Sequence, residues 1–124
     1  MKITIEVIKH EDQRYETVGD WVWTGDDLTI FVSSMDNWRY EMLVAFHEMA
    51  ECLMCKHRGI SQEDVDNFDI QFEKLREDGD VSEPGDEPNA PYYREHQIAT
   101  ILERTLALEL GVNWKQYDDT VVNL

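Results

Sequence analysis

The sequence predicts an α+β fold, in which a small antiparallel sheet of about three strands in the N-terminal third packs against about three helices. Residues 2–9 alternate between apolar and polar side chains, which is typical of a half-buried strand. Two further β-rich runs, 21–23 and 28–32, flank a Gly-Asp turn and predict a hairpin. We expect these strands to pair in chain order, as sequential strands usually do.

The rest of the chain predicts helices. The first runs from about residue 37 to 57 and stops at Gly59. The second begins at Ser61, whose side chain can cap it. The third covers about 92–110, and the tail from 113 to 124 can form a short last helix.

A chain of 124 residues has room for one hydrophobic core, so we expect a single domain over 1–124. The segment 78–91 contains all three prolines of the chain, two of its glycines and several acidic residues. Such a composition is typical of an exposed loop. Too little chain follows this segment for it to be a domain boundary.

The formal net charge of -16 limits the classes of partner. Affinity for a phosphate backbone comes mainly from Lys and Arg, so we expect no direct nucleic-acid binding. An acidic surface suits a basic protein partner, a cation or simple solubility. No apolar run is long enough to span a bilayer, and the N-terminus alternates too early for a signal peptide. With only two cysteines, the chain is expected in the cytoplasm.

The motif His47-Glu48-x-x-Glu51 lies in the first predicted helix. At about 100° per residue, His47 and Glu51 are about 40° apart on one border of the apolar face, and Glu48 points further toward solvent. Residues i and i+4 project side by side, so this imidazole and this carboxylate can hold one divalent cation. We therefore interpret the pair as half of a metal site.

The third predicted helix supplies the missing partners. His96 and Glu103 both lie at the margin of its apolar stripe, where an ionisable side chain is costly unless it is paired or bound to metal. If this helix packs on the first, His96 completes a three-ligand site with an open position, as in catalytic zinc enzymes. Glu48 is then placed as a general base. Glu103 would hold His96, act as a fourth ligand, or pair with an arginine instead. The hypothesis requires the nitrogens of His47 and His96 to lie within about 3–4 Å of each other.

The stretch from Val44 to Glu51 resembles the active-site helix of zincin-type metallopeptidases, whose motif is His-Glu-x-x-His. The order of a hairpin strand, the motif helix and a later ligand-bearing helix is also similar. The resemblance implies that His47 and His96 are zinc ligands and that Glu48 is the general base. The chain departs from the motif at Glu51, where the family has its second histidine. More loosely, the compact acidic chain looks like small proteins encoded by bacteriophages.

Three alternatives remain open at this stage. The motif can be a solvated, Glu-rich helix face without function. The chain can be an acidic interaction protein that binds a basic partner, for instance by mimicking the charge of DNA. Glu48-x-x-Glu51 also fits half of the magnesium motif of all-α nucleotide pyrophosphohydrolases, although the β-rich N-terminus does not suit that fold.

Overall fold

A computed structural model describes residues 1–124 and confirms the α+β class. A mixed sheet of three strands is followed by four helices, with short 3₁₀ turns at His10–Asp12 and Pro84–Asp86. The strands are Ile3–Ile8 (β1), Gly19–Thr24 (β2) and Asp27–Ser33 (β3). The helices are Trp38–Arg58 (α1), Gln62–Lys74 (α2), Tyr93–Glu109 (α3) and Trp114–Val122 (α4). The short last helix that the tail predicts is present as α4.

The order of strands in the sheet differs from the prediction. β2 and β3 form the expected antiparallel hairpin, with Gly25 in the left-handed conformation at its turn. β1 instead pairs in parallel with β3, from Ile3 opposite Leu28 to Ile8 opposite Ser33. The sheet is therefore mixed, in the order β1-β3-β2, and not wholly antiparallel. The connection over residues 9–18 is long enough to carry the chain across β3, whereas the hairpin has only its short turn.

β1 is also more exposed than its alternating pattern suggests. Ile3, Ile5 and Val7 each keep about 40% of their surface exposed. The reason is position: β1 is an edge strand, and α1 packs mainly against β2 and β3. The central strand is accordingly the buried one, with Leu28, Ile30 and Val32 fully covered.

Side-chain caps and a glycine set the limits of the helices. The side chain of Asn37 accepts hydrogen bonds from the backbone N–H groups of Arg39 and Tyr40 and so starts α1. Gly59 ends α1 with a φ of 74°, a conformation that glycine adopts without strain. Ser61 caps α2 as expected. The motif that carries His47 and Glu51 therefore lies well inside α1, away from both ends.

α1 is the central element of the fold, because it contacts β2 and β3 and also packs along α3. A hydrophobic core of 14 buried residues joins the sheet to the helices. The α1–α3 packing is the arrangement on which the predicted metal site depends. No helix of the chain is both long and apolar enough to cross a membrane.

The segment 78–91 is mostly exposed, as predicted, but part of it is structural. Gly85 and Ala90 are buried, and the turn Pro84–Asp86 packs against α2 and α3. A loop expected only at the surface therefore reaches the region of His96.

Candidate metal centre

Three buried side chains from two helices meet between α1 and α3. His47 and Glu51 project from adjacent turns of α1, and His96 projects from α3. Nε2 of His47 lies 3.2 Å from Nδ1 of His96, which meets the separation that the hypothesis requires. Oε2 of Glu51 lies 3.2 Å from Nε2 of His47 and 3.0 Å from Nδ1 of His96. This His/Glu group can hold a metal ion.

The three donor atoms form a nearly equilateral triangle, with sides of 3.2, 3.2 and 3.0 Å. Neighbouring ligands of a tetrahedral Zn²⁺ with bonds of about 2.0–2.1 Å are about 3.3 Å apart. An octahedral cation with bonds of about 2.1 Å gives about 3.0 Å. The observed sides fall between these values, so one cation placed off the plane of the triangle can contact all three atoms and keep further positions open.

A carboxylate lies next to the outer ring nitrogen of each histidine, the one that points away from the triangle. Nδ1 of His47 donates to Oε1 of Glu103 at 2.8 Å, and Tyr117 donates to the other oxygen of Glu103 at 2.6 Å. Nε2 of His96 lies 2.8 Å from Oε2 of Glu83. Glu103 thus holds His47, whereas the sequence suggested that it would hold His96, act as a ligand or pair with an arginine. A carboxylate behind the outer nitrogen is the usual support of a metal-binding histidine.

This arrangement determines which atoms point inward. Because carboxylates can only accept, the proton of each neutral imidazole is drawn to its outer nitrogen. The inner nitrogens of His47 and His96 then present lone pairs to each other and to Oε2 of Glu51. Lone pairs that converge at 3.0–3.2 Å repel one another unless a cation lies between them. The cation is either a metal ion or additional protons.

The pKa values show that protons can supply this positive charge when no metal is bound. Burial opposes the charge on His47, but its hydrogen bonds with Glu103 and Glu51 outweigh this and hold its pKa well above the usual value. The same balance, with Glu51 and Glu83 as partners, raises the pKa of His96 to about 10. Burial of Glu51 is likewise outweighed by the two histidines, which lower its pKa to about 2. The site therefore attracts positive charge strongly.

Glu48 faces the interior more than the helical wheel suggested. Its side chain is partly buried and lies against Gly19 of β2, where an added Cβ would be 2.7 Å from its Cγ. The missing side chain of Gly19 makes room for it. Burial, together with the charge of Glu51, raises the pKa of Glu48 well above that of an ordinary glutamate. It has no cationic partner and lines the same cavity as the three donors.

Sequence reasoning missed the loop residues around His96. Glu83 and Asp86 flank Nε2 of His96, and Gly85 between them packs flat against the imidazole ring. Glu83 and Asp86 belong to an irregular segment before α3, so no helical period relates them to His96. The tight turn at Pro84–Asp86 brings them to its ring. The one signal available was the Pro84-Gly85 pair, which marks a tight turn.

Replacing Gly85 with Ala tests this close packing. The new Cβ would lie 2.3 Å from Cγ of His96, so the ring or the loop must move. We expect G85A to lower the free energy of unfolding by about 1–3 kcal/mol, as overpacking usually does, and to weaken metal binding as well. Thermal unfolding and a zinc titration measure the two effects. The control is G79A, which meets no atom within 4 Å and carries only the cost of its positive φ. Equal zinc affinities in both variants would contradict the role of Gly85.

Asp69 is another buried carboxyl that lines the same cavity. Asp69 accepts hydrogen bonds from the hydroxyl groups of Tyr92 and Tyr15 and has no cationic partner. Burial raises its pKa to about 7, although the bond from Tyr92 works in the opposite direction. Trp21 donates from its indole N–H to Oε1 of Glu51 at 3.3 Å, which turns the other oxygen of Glu51 toward the histidines. Neither contact was expected from the sequence.

The cavity beside these residues has a volume of about 540 Å³, within the usual range for small-molecule sites. Its wall includes His47, Glu48, Glu51 and His96, along with many other acidic side chains. The donors are therefore accessible from the cavity although each is buried in the fold.

The two cysteines of α1 do not join the site. Cys52 and Cys55 are buried and free, and only His47, Glu51 and His96 form the inner group of converging ligand atoms. Burial raises the pKa of Cys52 to about 12 and also raises that of Cys55, so neither thiol is a ready thiolate.

Fold and site together define an α+β chain with a buried His/Glu group able to hold a metal ion. Comparison with protein-family models, with curated proteins and with solved structures finds no match. A functional assignment accordingly depends on the geometry of the site itself.

Proposed function

We propose that this protein is a metal-dependent hydrolase that binds one divalent cation, foremost zinc, through His47, Glu51 and His96. The observation that carries the proposal is the triangle of inward lone pairs, backed on both histidines by carboxylates. Two histidines and one glutamate are an established donor set of catalytic zinc sites. The same set also suits ferrous iron, so the bound metal needs to be identified as well as counted.

The hydrolytic part of the proposal rests on Glu48. A cation bound at the triangle would supply a Lewis acid and lower the pKa of a coordinated water. Glu48 lines the cavity and has no partner to hold its carboxyl group. Burial raises the pKa of Glu48, so its carboxylate is a stronger base than that of an ordinary glutamate. We therefore assign to Glu48 the transfer of a proton from the attacking water to the leaving group, as the resemblance to zincins implies.

Metal analysis of the purified protein tests the binding. Protein prepared without chelators or a polyhistidine tag is expected to contain stoichiometric zinc or iron. Inductively coupled plasma mass spectrometry measures the metal content. H47A and H96A are expected to lose it, because each removes one of three ligands. The matched control is H57A, which removes an exposed histidine from the same helix. Metal-free wild-type protein, even after incubation with zinc, would refute the proposal.

Hydrolysis is tested separately with a labelled unstructured protein such as casein and with a fluorogenic peptide library. Metal-loaded wild-type protein is expected to cleave a member of these sets, and E48Q is expected to bind metal normally but to lose at least about 100-fold in rate. If E48Q keeps the full rate, Glu48 is not the general base. If the loaded protein cleaves nothing in either set, the hydrolase assignment fails while metal binding still stands.

The net charge of -16 supports a second candidate function, an acidic protein that binds a basic partner. This candidate needs no metal. It predicts capture of a basic peptide such as polylysine that weakens steeply with salt and is the same for metal-free and metal-loaded protein. Absence of salt-dependent capture would remove it.

A further inference from the structure

His96 presents its second nitrogen to a separate set of donors. Nε2 lies 2.8 Å from Oε2 of Glu83 and 3.3 Å from Oδ1 of Asp86. His96 is only 6% exposed. Glu83 lies behind Nε2 as a charge contact, but neither Glu83 nor Asp86 is aligned for a hydrogen bond with that nitrogen. A buried polar nitrogen without a hydrogen-bonding partner is rare and costly. These three ligand atoms can hold a metal ion of their own.

The loop that carries the two carboxylates is held in place. Gly85 packs against the face of the His96 ring, and Asp86 accepts a hydrogen bond of 2.9 Å from Gln97 on α3. Glu83 and Asp86 themselves are about half-exposed, so this face of His96 opens toward solvent. The inner triangle is buried, whereas this outer group is accessible.

Charge at the centre also favours more than one cation. Four carboxylates contact the two histidines directly, and none of them forms an ion pair with Lys or Arg; they are Glu51, Glu83, Asp86 and Glu103. A single divalent cation neutralises half of this charge. Carboxylate and imidazole are both suitable donors for a second divalent ion.

We propose that Glu83, Asp86 and Nε2 of His96 form a second divalent-cation site, so that His96 bridges two metal ions. This inference rests on the proposed function, because His96 serves the inner site through Nδ1. The second cation bonds to the lone pair of Nε2 as the Nε2–H bond breaks, and the proton leaves to solvent. The ring then carries one negative charge, and no oxidant or reductant is needed. The inner, buried site fills first and the exposed outer site second.

Zinc titration against a chromophoric chelator tests the second site. Wild-type protein is expected to bind two equivalents of zinc, the second more weakly than the first. The double variant E83Q/D86N is expected to bind one equivalent. The affinity of the first site should change by less than about tenfold, which is the lower end of the loss seen when a residue behind a ligand is removed. The control is E87Q, which removes a charge from the same loop outside the outer group and should keep both equivalents.

Copper supplies a second readout that a structural role would not produce. Two Cu²⁺ ions bridged by one imidazole ring couple magnetically, so the fully loaded wild-type protein should show a weaker EPR signal per copper than E83Q/D86N with one Cu²⁺. One equivalent of zinc in the wild type, weakened in E83Q/D86N, would overturn the inference and leave Glu83 and Asp86 as supports of His96. No bound zinc at all would refute the proposed function with it.

Discussion

E51Q is expected to abolish stoichiometric metal binding, while E48Q retains it. The two substitutions make the same chemical change in the same helix, three residues apart. Glu51 places Oε2 against the inner nitrogens of both histidines, whereas Glu48 lies against Gly19 without a cationic partner. Loss of a residue behind a ligand commonly costs 10- to 100-fold in metal affinity, so loss of a ligand should cost at least about 100-fold. Competition titration with zinc measures the difference.

The same pair of variants should differ in stability without metal. At pH 7 the carboxylate of Glu51 pairs with two buried histidines whose pKa values are raised, so its removal leaves each of them with only the carboxylate behind its outer nitrogen. Breaking a buried pair in this way costs about 3 kcal/mol. E48Q should be neutral or slightly stabilising, because burial and the charge of Glu51 already oppose ionisation of Glu48. Denaturant unfolding of both metal-free variants measures the difference in the free energy of unfolding.

The zinc titration has its own contradicting outcome. If both variants bind zinc as the wild type does, Glu51 is not a ligand.

Much of the inner site could be predicted because it depends on helical periodicity. His47 and Glu51 are four residues apart, so any helix places them side by side. The position of His96 beside an apolar stripe marked it as facing the core, and the packing of α3 on α1 brings it to the same point. Glu103 faces the centre for the same reason, but which histidine it holds depends on the offset between the helices. A single helix pattern does not contain that offset.

Features that depend on neighbouring elements could not be predicted. A helical wheel locates Glu48 relative to its own helix, but its burial arises from β2, which passes close enough only because residue 19 is glycine. The parallel pairing of β1 depends on where the chain crosses the sheet, and alternation of side chains is the same for either direction. Glu83 and Asp86 belong to an irregular loop, so no period connects them with His96.

Zinc affinity is expected to rise at least about tenfold for each unit of pH between 6 and 8. Without metal, His96 is protonated throughout this range, because its pKa is about 10, and the pKa of His47 is also raised. Zinc needs one lone pair from each ring, so binding releases a proton from His96, worth about tenfold per pH unit, and a further proton wherever His47 is also protonated. Titrations at pH 6, 7 and 8 give the slope, and calorimetry in buffers of different ionisation enthalpy counts the protons. A slope of zero would show that these histidines do not bind the metal.

The stability of the metal-free protein should follow the opposite trend. The pKa of His96 is raised on folding, so its contribution to stability is complete below about pH 6.5 and is lost as the pH rises through 10. The pKa of Glu51 is lowered to about 2, so its contribution is present above about pH 4.5 and is lost only in strong acid. A bound cation replaces the protons and removes the loss at high pH. The difference in Tm between zinc-loaded and metal-free protein should therefore widen from pH 6 to pH 9. In H96A the difference should be small at every pH, because neither the ligand nor the proton remains.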